Sequence, residues 1–356
     1  MVEALMARAL RLAARGLGRT SPNPMVGATI VAADGTIVGD GWHQRAGTPH
    51  AEVHALEQAG ARAAGATLVC TLEPCCHHGR TGPCVDRIIA ARITRVVAAT
   101  EDPNPLVSGD GFRRLRAAGV EVAVGVHADE ARSLNRAFMT TMRLARPWVI
   151  LKSGVSADGM IAAAAGVRTQ ITSRESMLRV QRLRAEVDAV AVGSETVLVD
   201  DPLLTVRDVY RERPLVRVIF DRRLRTPPSA RVFHTAAQGP IIVLCDQGAG
   251  DAAVRELETA GARVESIEGR LESGFRRLAA IGVQSVLLEG GARIQQAAWE
   301  AGMIDEVRLF VAPQALGRSG VPFASAHGLS IAALSELKTV GVGPDVLITG
   351  YVHRPH

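Results

Sequence analysis

Apolar positions first recur at helical spacing, at Leu5, Ala9 and Leu12, and predict a helix over Met1–Arg15. Two apolar runs follow, Val26–Ala33 and Thr36–Gly41, separated by Asp34-Gly35, a dipeptide suited to the positive φ of a hairpin turn. The alternation continues with a helix over His50–Ala63, a strand over Ala66–Leu72 and a helix over Cys84–Ala91. Strands over Arg95–Ala99 and Val120–Val126, with a helix between them, lead to a helix over Asp129–Met142. That order implies a mixed sheet with helices on both faces. Around Arg143–Pro147 the pattern restarts, and Trp148–Gly154 opens a new strand. The chain therefore divides into domains 1–145 and 147–356, as a length of 356 residues also suggests. Strands over Val216–Asp221, Ile241–Cys245 and Ser285–Glu289 and a helix over Ala292–Ala301 fall in the second.

Composition narrows the class. Hydrophobic residues make up 47% and charged residues 22%, as in a soluble globular protein. Aromatics are only 3%, too few for the stacking platforms of single-stranded nucleic-acid binders. The net charge of +5 comes from arginines scattered along the chain, not from a dense stripe. A small phosphorylated substrate is the expected partner, with no nucleic acid and no membrane; homo-oligomers stay open. No apolar run reaches transmembrane length, and Met1–Arg15 reads as a structural helix, not a targeting peptide, so a cytoplasmic location is expected.

Chemistry concentrates at His50-Ala51-Glu52, Pro74-Cys75 and Cys84. One imidazole and two thiolates fill three tetrahedral positions of zinc and leave a fourth for water, the pattern of a catalytic site. Glu52, two residues after the histidine, is placed to carry protons for water ionised there, as in zinc deaminases. The cysteines are nine residues apart, each beside an expected helix or strand end. A helix N-terminus at Cys84 favours its thiolate. Cys76 is a rival ligand by adjacency, and Cys70 and Cys245, in apolar strands, read as small core residues. Soft thiolates favour zinc over magnesium or calcium.

The segments Pro22-Asn23-Pro24-Met25-Val26-Gly27, Gly41-Trp42-His43, His50-Ala51-Glu52, Leu72-Glu73-Pro74-Cys75-Cys76-His77-His78-Gly79-Arg80-Thr81-Gly82-Pro83-Cys84 and Glu101-Asp102-Pro103-Asn104-Pro105 resemble the deaminase half of the bifunctional riboflavin-biosynthesis deaminase/reductase family. The resemblance implies a cytidine-deaminase-like α/β/α domain with a mixed sheet. It implies hydrolytic loss of the C2 amino group from 2,5-diamino-6-ribosylamino-4(3H)-pyrimidinone 5′-phosphate. By the same resemblance Asn23 and His43 would contact base or sugar, and His77, His78 and Arg80 the 5′-phosphate.

Residues 147–356 resemble the reductase half through Leu151-Lys152-Ser153-Gly154, Ser156-Ala157-Asp158-Gly159, Val192-Gly193-Ser194-Glu195-Thr196-Val197, Asp200-Asp201-Pro202-Leu203-Leu204-Thr205-Val206-Arg207 and Leu288-Glu289-Gly290-Gly291. The resemblance implies a dihydrofolate-reductase-like α/β domain that uses NADPH to convert the ribosyl group to ribityl. Lys152, Asp200 and Glu289 would surround the reacting atoms, Glu289 also touching substrate. Arg184 and Arg207 would clamp the substrate phosphate, with Arg168 and Leu204 nearby. Gly154, Gln170, Thr196, Asp200 and the turn Gly291-Ala292-Arg293-Ile294-Gln295-Gln296-Ala297 would line the cofactor, with Arg222 or Arg225 at its 2′-phosphate. A strand ending in Gly290-Gly291 before a helix offers N–H groups to pyrophosphate, whereas the Rossmann glycine fingerprint is absent after the first strand. Arg168 and Gln170 stand where the family commonly has serine and tryptophan. They motivate an alternative reading, a nucleoside or tRNA-base deaminase carrying a non-catalytic binding or assembly domain.

Overall fold

The computed structural model describes residues 1–77, 82–323 and 331–354. Its chain separates into two units, Met1–Ala145 and Arg146–Arg354.

In the first, helix α1 (Val2–Ala13) buries Leu5, Met6, Ala9 and Leu12. Strands β1 (Gly27–Val31) and β2 (Ile37–Trp42) form the hairpin. Its turn closes where Gly35 N–H donates to Ala32 O at 2.9 Å, with Gly35 at φ +86. Asp34 Oδ1 accepts from Thr36 N–H at 2.8 Å, and the register shifts beside the turn, between Ile30 and Val31. Helix α2 (Ala51–Ala59), β3 (Thr67–Cys70), α3 (Cys84–Ala90), β4 (Arg95–Ala98), α4 (Asp110–Ala117) and β5 (Glu121–Val124) follow. The sheet order is β2-β1-β3-β4-β5, antiparallel at β1 and parallel from β3 to β5. This is the mixed sheet expected from the element order.

Alternation along β3 separates two apolar layers. Leu68 and Cys70 pack with Leu56, Val85 and Phe112, whereas Val69 packs with Leu5, Met6 and Ala9 of α1. Helix α2 lies directly on β2, because a Cβ at Gly41 would sit 2.0 Å from Ala51 O. Only glycine permits that approach, and it sets the helix start, with His50 as N-cap, against the strand.

One expected element is corrected. The helix anticipated over Asp129–Met142 is two helices, α5 (Ala128–Leu134) and α6 (Arg136–Leu144), separated at Asn135. Buried Asn135 accepts from Met25 N–H at 2.7 Å through Oδ1 and donates to Met25 O at 2.8 Å through Nδ2. Holding a distant backbone segment on both sides fixes this residue outside helical geometry, at φ −98 and ψ 21.

The second unit begins with β6 (Trp148–Val155), β7 (Met160–Ala162), α7 (Arg174–Glu186), β8 (Ala189–Gly193), α8 (Ser194–Asp200) and β9 (Val216–Phe220). It continues with β10 (Ile241–Asp246), α9 (Asp251–Thr259), β11 (Ala262–Ile267), α10 (Leu271–Ala280), β12 (Ser285–Leu288), α11 (Ala292–Glu300), β13 (Glu306–Val311), β14 (Val321–Pro322), β15 (Ser335–Val342) and β16 (Asp345–Tyr351). Nine of the described strands form one sheet, ordered β11-β10-β9-β8-β12-β6-β13-β16-β15. The first seven in that order run parallel, and β16 and β15 close one edge as an antiparallel pair. Strand β12 lies between β8 and β6, where the direction of winding reverses. Parallel sheets bind ligands outside the carboxyl ends of strands at such a point.

Candidate active sites

The metal cluster is assembled at the starts of two helices. His50 caps α2, Cys84 opens α3, and Cys75 follows β3 through Thr71–Pro74. His50 Nδ1 lies 3.3 Å from Cys84 Sγ and 3.4 Å from Cys75 Sγ, and all three donor atoms fall within 4.8 Å of one another. Zinc–sulfur and zinc–nitrogen bonds of about 2.3 and 2.0 Å at a tetrahedral angle give an N···S edge of roughly 3.5 Å. The residues therefore fit zinc in both chemistry and spacing. Cys84 N–H donates to Cys75 Sγ at 3.3 Å. The hydrogen bond from the Cys84 thiol, with His50 beside it, pulls the Cys75 thiol down to about 4 despite burial.

Cys76 is not part of the cluster; its Sγ lies 3.9 Å from Leu106 O. Cys70 and Cys245 are buried in β3 and β10, as expected for core residues.

Glu52 sits in the first turn of α2 and is only 3% exposed. Its Oε2 has no hydrogen-bond partner among the described residues, and burial pushes its pKa up to about 6. An unpartnered buried carboxylate oxygen is costly, and beside a metal cluster it is suited to holding a transferable proton.

Asn23 and His43 meet near this group. His43 Nε2 lies 3.1 Å from Asn23 Nδ2, and its Nδ1 lies 3.2 Å from Pro49 O. A carbonyl can only accept, so Nδ1 carries the proton and Nε2 accepts from the Asn23 amide. Burial lowers the pKa of His43 and keeps the ring neutral, edge-on to His50 at 5.3 Å between centroids. His77 follows Cys76, with a buried, unpartnered Nδ1 among the described residues. His78 and Arg80 lie outside the described residues.

Two supporting residues escaped the sequence reading. Asn135 brackets Met25, two residues after Asn23. Buried Glu73 accepts from the N–H groups of Asp102 (3.2 Å), Gly109 (2.9 Å) and Phe112 (3.2 Å), fastening that loop beside Pro74-Cys75. Its position directly before Pro74-Cys75 was the available signal; its long-range partners were not visible.

In the second unit a cleft of about 1100 Å³ opens at the carboxyl ends of the parallel strands. Lys152 and Gly154 come from β6, Thr196 and Asp200 from α8, and Glu289 from the end of β12. Arg168, Gln170, Arg184, Leu204, Arg207, Arg222 and Arg225 also line it. So do Gly291, Ala292, Arg293, Ile294, Gln295 and Ala297. Gln296 does not; its amide donates along the helix to Glu300 Oε1 at 2.9 Å.

At the centre, Arg184 grips the Glu289 carboxylate through Nε (2.6 Å) and Nη2 (3.0 Å), and its Nη1 donates to Thr205 O at 2.8 Å. The fork of Arg184, expected at the substrate phosphate, is held by Glu289 on the wall of the cleft. Lys152 Nζ lies 3.8 Å from Glu289 Oε2. Burial opposes the Glu289 charge, but Arg184 and Lys152 outweigh it and hold the carboxyl below its usual range. Burial lowers the pKa of Lys152, against the pull of Glu289. Burial raises Asp200, with Arg168 opposing.

Thr196 Oγ1 accepts from Gly291 N–H at 3.1 Å, so one donor of the anticipated pyrophosphate turn already has a partner. Gly290 is required there, since a Cβ would lie 2.0 Å from Ile294 Cγ2. Arg222 pairs with Asp246 at 2.9 Å and Arg225 donates to Ser194 Oγ at 2.9 Å, both beside the cleft. Gln170 Nε2 donates to Thr172 O at 2.7 Å.

A deaminase-type metal cluster in one unit and a dinucleotide-sized cleft at strand ends in the other define a two-domain deaminase and reductase. Residues 1–100 match the family described as cytidine and deoxycytidylate deaminase zinc-binding region, and residues 147–348 the RibD C-terminal domain. The chain is 40% identical to riboflavin biosynthesis protein RibD of Escherichia coli, over 97% of this chain and 98% of that protein. Its identity to RibD of Aquifex aeolicus is 45%, over 88% and 87%. The structure of Acinetobacter baumannii RibD superposes with a TM-score of 0.88 at 37% identity, covering 98% of both chains. A Thermotoga maritima diaminohydroxyphosphoribosylaminopyrimidine deaminase/5-amino-6-(5-phosphoribosylamino)uracil reductase gives 0.84 at 36% identity, covering 100% of this chain and 99% of that one. The chain belongs to the RibD family of bifunctional riboflavin-biosynthesis enzymes, whose deaminase half uses zinc and whose reductase half uses NADPH. The alternative of a non-catalytic second half is not favoured, because the reductase-domain match spans it. Among the described residues no helix is long and apolar enough to cross a membrane.

Proposed function

We propose that the two sites act in sequence on one phosphorylated pyrimidine, 2,5-diamino-6-ribosylamino-4(3H)-pyrimidinone 5′-phosphate. The first removes its C2 amino group as ammonia, and the second reduces its ribosyl group to ribityl. The observation that carries the reading is the His50, Cys75 and Cys84 cluster beside the unpartnered Oε2 of Glu52. When bound, zinc lowers the pKa of water and NADPH supplies a hydride.

Glu52 takes the proton released by the attacking water, gives it to the ring nitrogen, and returns a proton to the departing ammonia. Asn23 and His43 hold the base, with the neutral His43 ring fixing the Asn23 amide. His77, with His78 and Arg80, is assigned to the phosphate end.

In the cleft, Lys152 and Glu289 flank the sugar carbon that is reduced, and Lys152 holds the proton delivered as the C–N double bond is saturated. Asp200 bears on the same region with Arg168. Arg207 and Arg184 take the substrate phosphate, Leu204 packs beside them, and Glu289 orients the Arg184 fork. The cofactor is assigned to Gly154, Gln170, Thr196 and the Gly291–Ala297 turn, with Arg222 or Arg225 at its 2′-phosphate. Ligand thiolates remain reduced in the cytoplasm, where we place the enzyme.

Incubation of purified protein with the diaminopyrimidinone phosphate tests both steps by mass. A gain of about one mass unit without NADPH reports deamination, and a further gain of about two with it reports reduction. An unchanged substrate mass in zinc-loaded protein would overturn the first assignment, and no second gain the other.

A further inference from the structure

Arg211 does not line the large cleft. It lines a smaller cavity, of about 290 Å³, together with Thr205, Arg213 and Arg217. Its Nη1 donates to the carbonyls of Arg184 (2.7 Å), Ala185 (2.9 Å) and Val187 (2.7 Å). Its Nε donates to Arg213 O, and its Nη2 to Pro214 O at 3.4 Å. One guanidinium thus joins the last turn of α7 to the loop 201–214. Carbonyls there lack intrahelical partners and form the negative end of the helix dipole, so a cation suits them.

The same loop meets α7 at two further points. Arg184 Nη1 donates to Thr205 O at 2.8 Å, and Arg207 N–H donates to Gln181 Oε1 at 2.9 Å. Between these attachments the loop presents Leu204 and Arg207 to the cleft, while Arg184 reaches from the helix to Glu289. Helix end and loop therefore both contribute lining to one site. These hydrogen bonds of Arg211 all go to backbone carbonyls, and burial lowers its pKa to about 10, with Arg213 adding to the shift and Asp188 opposing it. Half-burying a guanidinium against carbonyls is a costly fastening, and it holds the segment that faces the cleft.

We propose that Arg211 is a positioning residue for the reductase: it clamps the end of α7 to loop 201–214, fixing Arg184 and Glu289 relative to Leu204 and Arg207. This rests on assigning those residues to the substrate end of the cleft. Lysine is a poor substitute, since an ammonium cannot span the helix-end and loop carbonyls with a planar fork.

The test uses the full chain, whose deaminase half is an internal control. Arg211→Ala and Arg211→Lys are compared with the unaltered protein in reductase kcat and KM for the deaminated phosphate. NADPH affinity is read by fluorescence titration, deaminase kcat/KM by ammonia release, and order in 202–207 by amide hydrogen exchange. We expect KM to rise by roughly 10- to 100-fold in both variants, the scale of a small misplacement in a positioned site. Exchange should accelerate over 202–207, while NADPH affinity and deaminase kinetics stay unchanged. A melting temperature that falls while KM is unmoved, full rescue by lysine, or unaltered exchange overturns the proposal. If Arg211→Ala fails to fold, Arg211→Lys decides alone. Arg207→Ala separates the two assumptions: an unmoved KM there removes the substrate-end assignment, while exchange in the Arg211 variants still decides the clamp.

Discussion

Arg184 and Glu289, 105 residues apart in sequence, form a two-pronged ion pair at 2.6 and 3.0 Å on the wall of the reductase cleft. Both are buried, and Lys152 approaches the same carboxylate at 3.8 Å. A charge so enclosed depends on its partners. Removing Arg184 leaves Glu289 with only the more distant ammonium.

Arg184→Met should therefore destabilise the reductase unit by about 3 kcal/mol, the lower end for breaking a buried pair from one side. Calorimetry of the full chain should show that loss without a matching change in the deaminase transition. The pH dependence has a definite sign. Glu289 is held below its ordinary pKa, so its contribution is complete above the unfolded value of about 4.3 and is lost as pH falls through the folded value. Glu289→Gln should flatten the acid side of the stability profile. An unchanged acid limb would show that this carboxylate is not its source.

Lys152 gives a second pH signature, in rate. Burial depresses its pKa, so its proton is lost below the usual lysine value of about 10.4. If that proton enters the reaction, reductase kcat should decline on an alkaline limb below that pH. Lys152→Met should abolish the limb and lower kcat by roughly 10²- to 10⁴-fold. A limb that persists in the variant would assign the titration elsewhere.

Local chemistry was the legible part of this chain. Asp34-Gly35 marked the hairpin because a positive-φ residue there serves the turn itself, and Gly35 adopts φ +86. His50, Cys75 and Cys84 were recognisable because metal ligation demands particular atoms at helix and strand ends. Arg184 was identified as a site residue, but its pairing with Glu289 was not legible, since only the assembled sheet brings that carboxylate to its fork. Gln296 fell inside the cofactor turn by sequence, yet helical rotation points it to Glu300. Contacts made across more than 100 residues leave no trace in spacing.

The deaminase assignment separates metal binding from proton transfer. Glu52→Gln should keep full zinc by atomic absorption, since the three ligands are intact, while deamination falls by roughly 10²- to 10⁴-fold. Cys84→Ser should lose zinc, and Cys76→Ser should keep both zinc and rate, because Cys76 lies outside the cluster. Zinc loss in Cys76→Ser would contradict the ligand set.

Asn135 interrupts what would otherwise be one helix, and the balance of energies explains why. Asn135→Leu would improve helix propensity by roughly 0.5 kcal/mol. The same change would leave the N–H and C=O of half-buried Met25 without their side-chain partner, at about 1 kcal/mol for each group, the lower end of the range for an unsatisfied donor or acceptor. The loss exceeds the gain, so the variant should be less stable in the deaminase unit although its helix is better formed. Because Asn23 lies two residues before Met25 and bonds His43, deaminase KM should rise while zinc content and reductase kinetics stay constant. A more stable Asn135→Leu protein with unaltered KM would mean that the break in the helix serves neither Met25 nor the substrate.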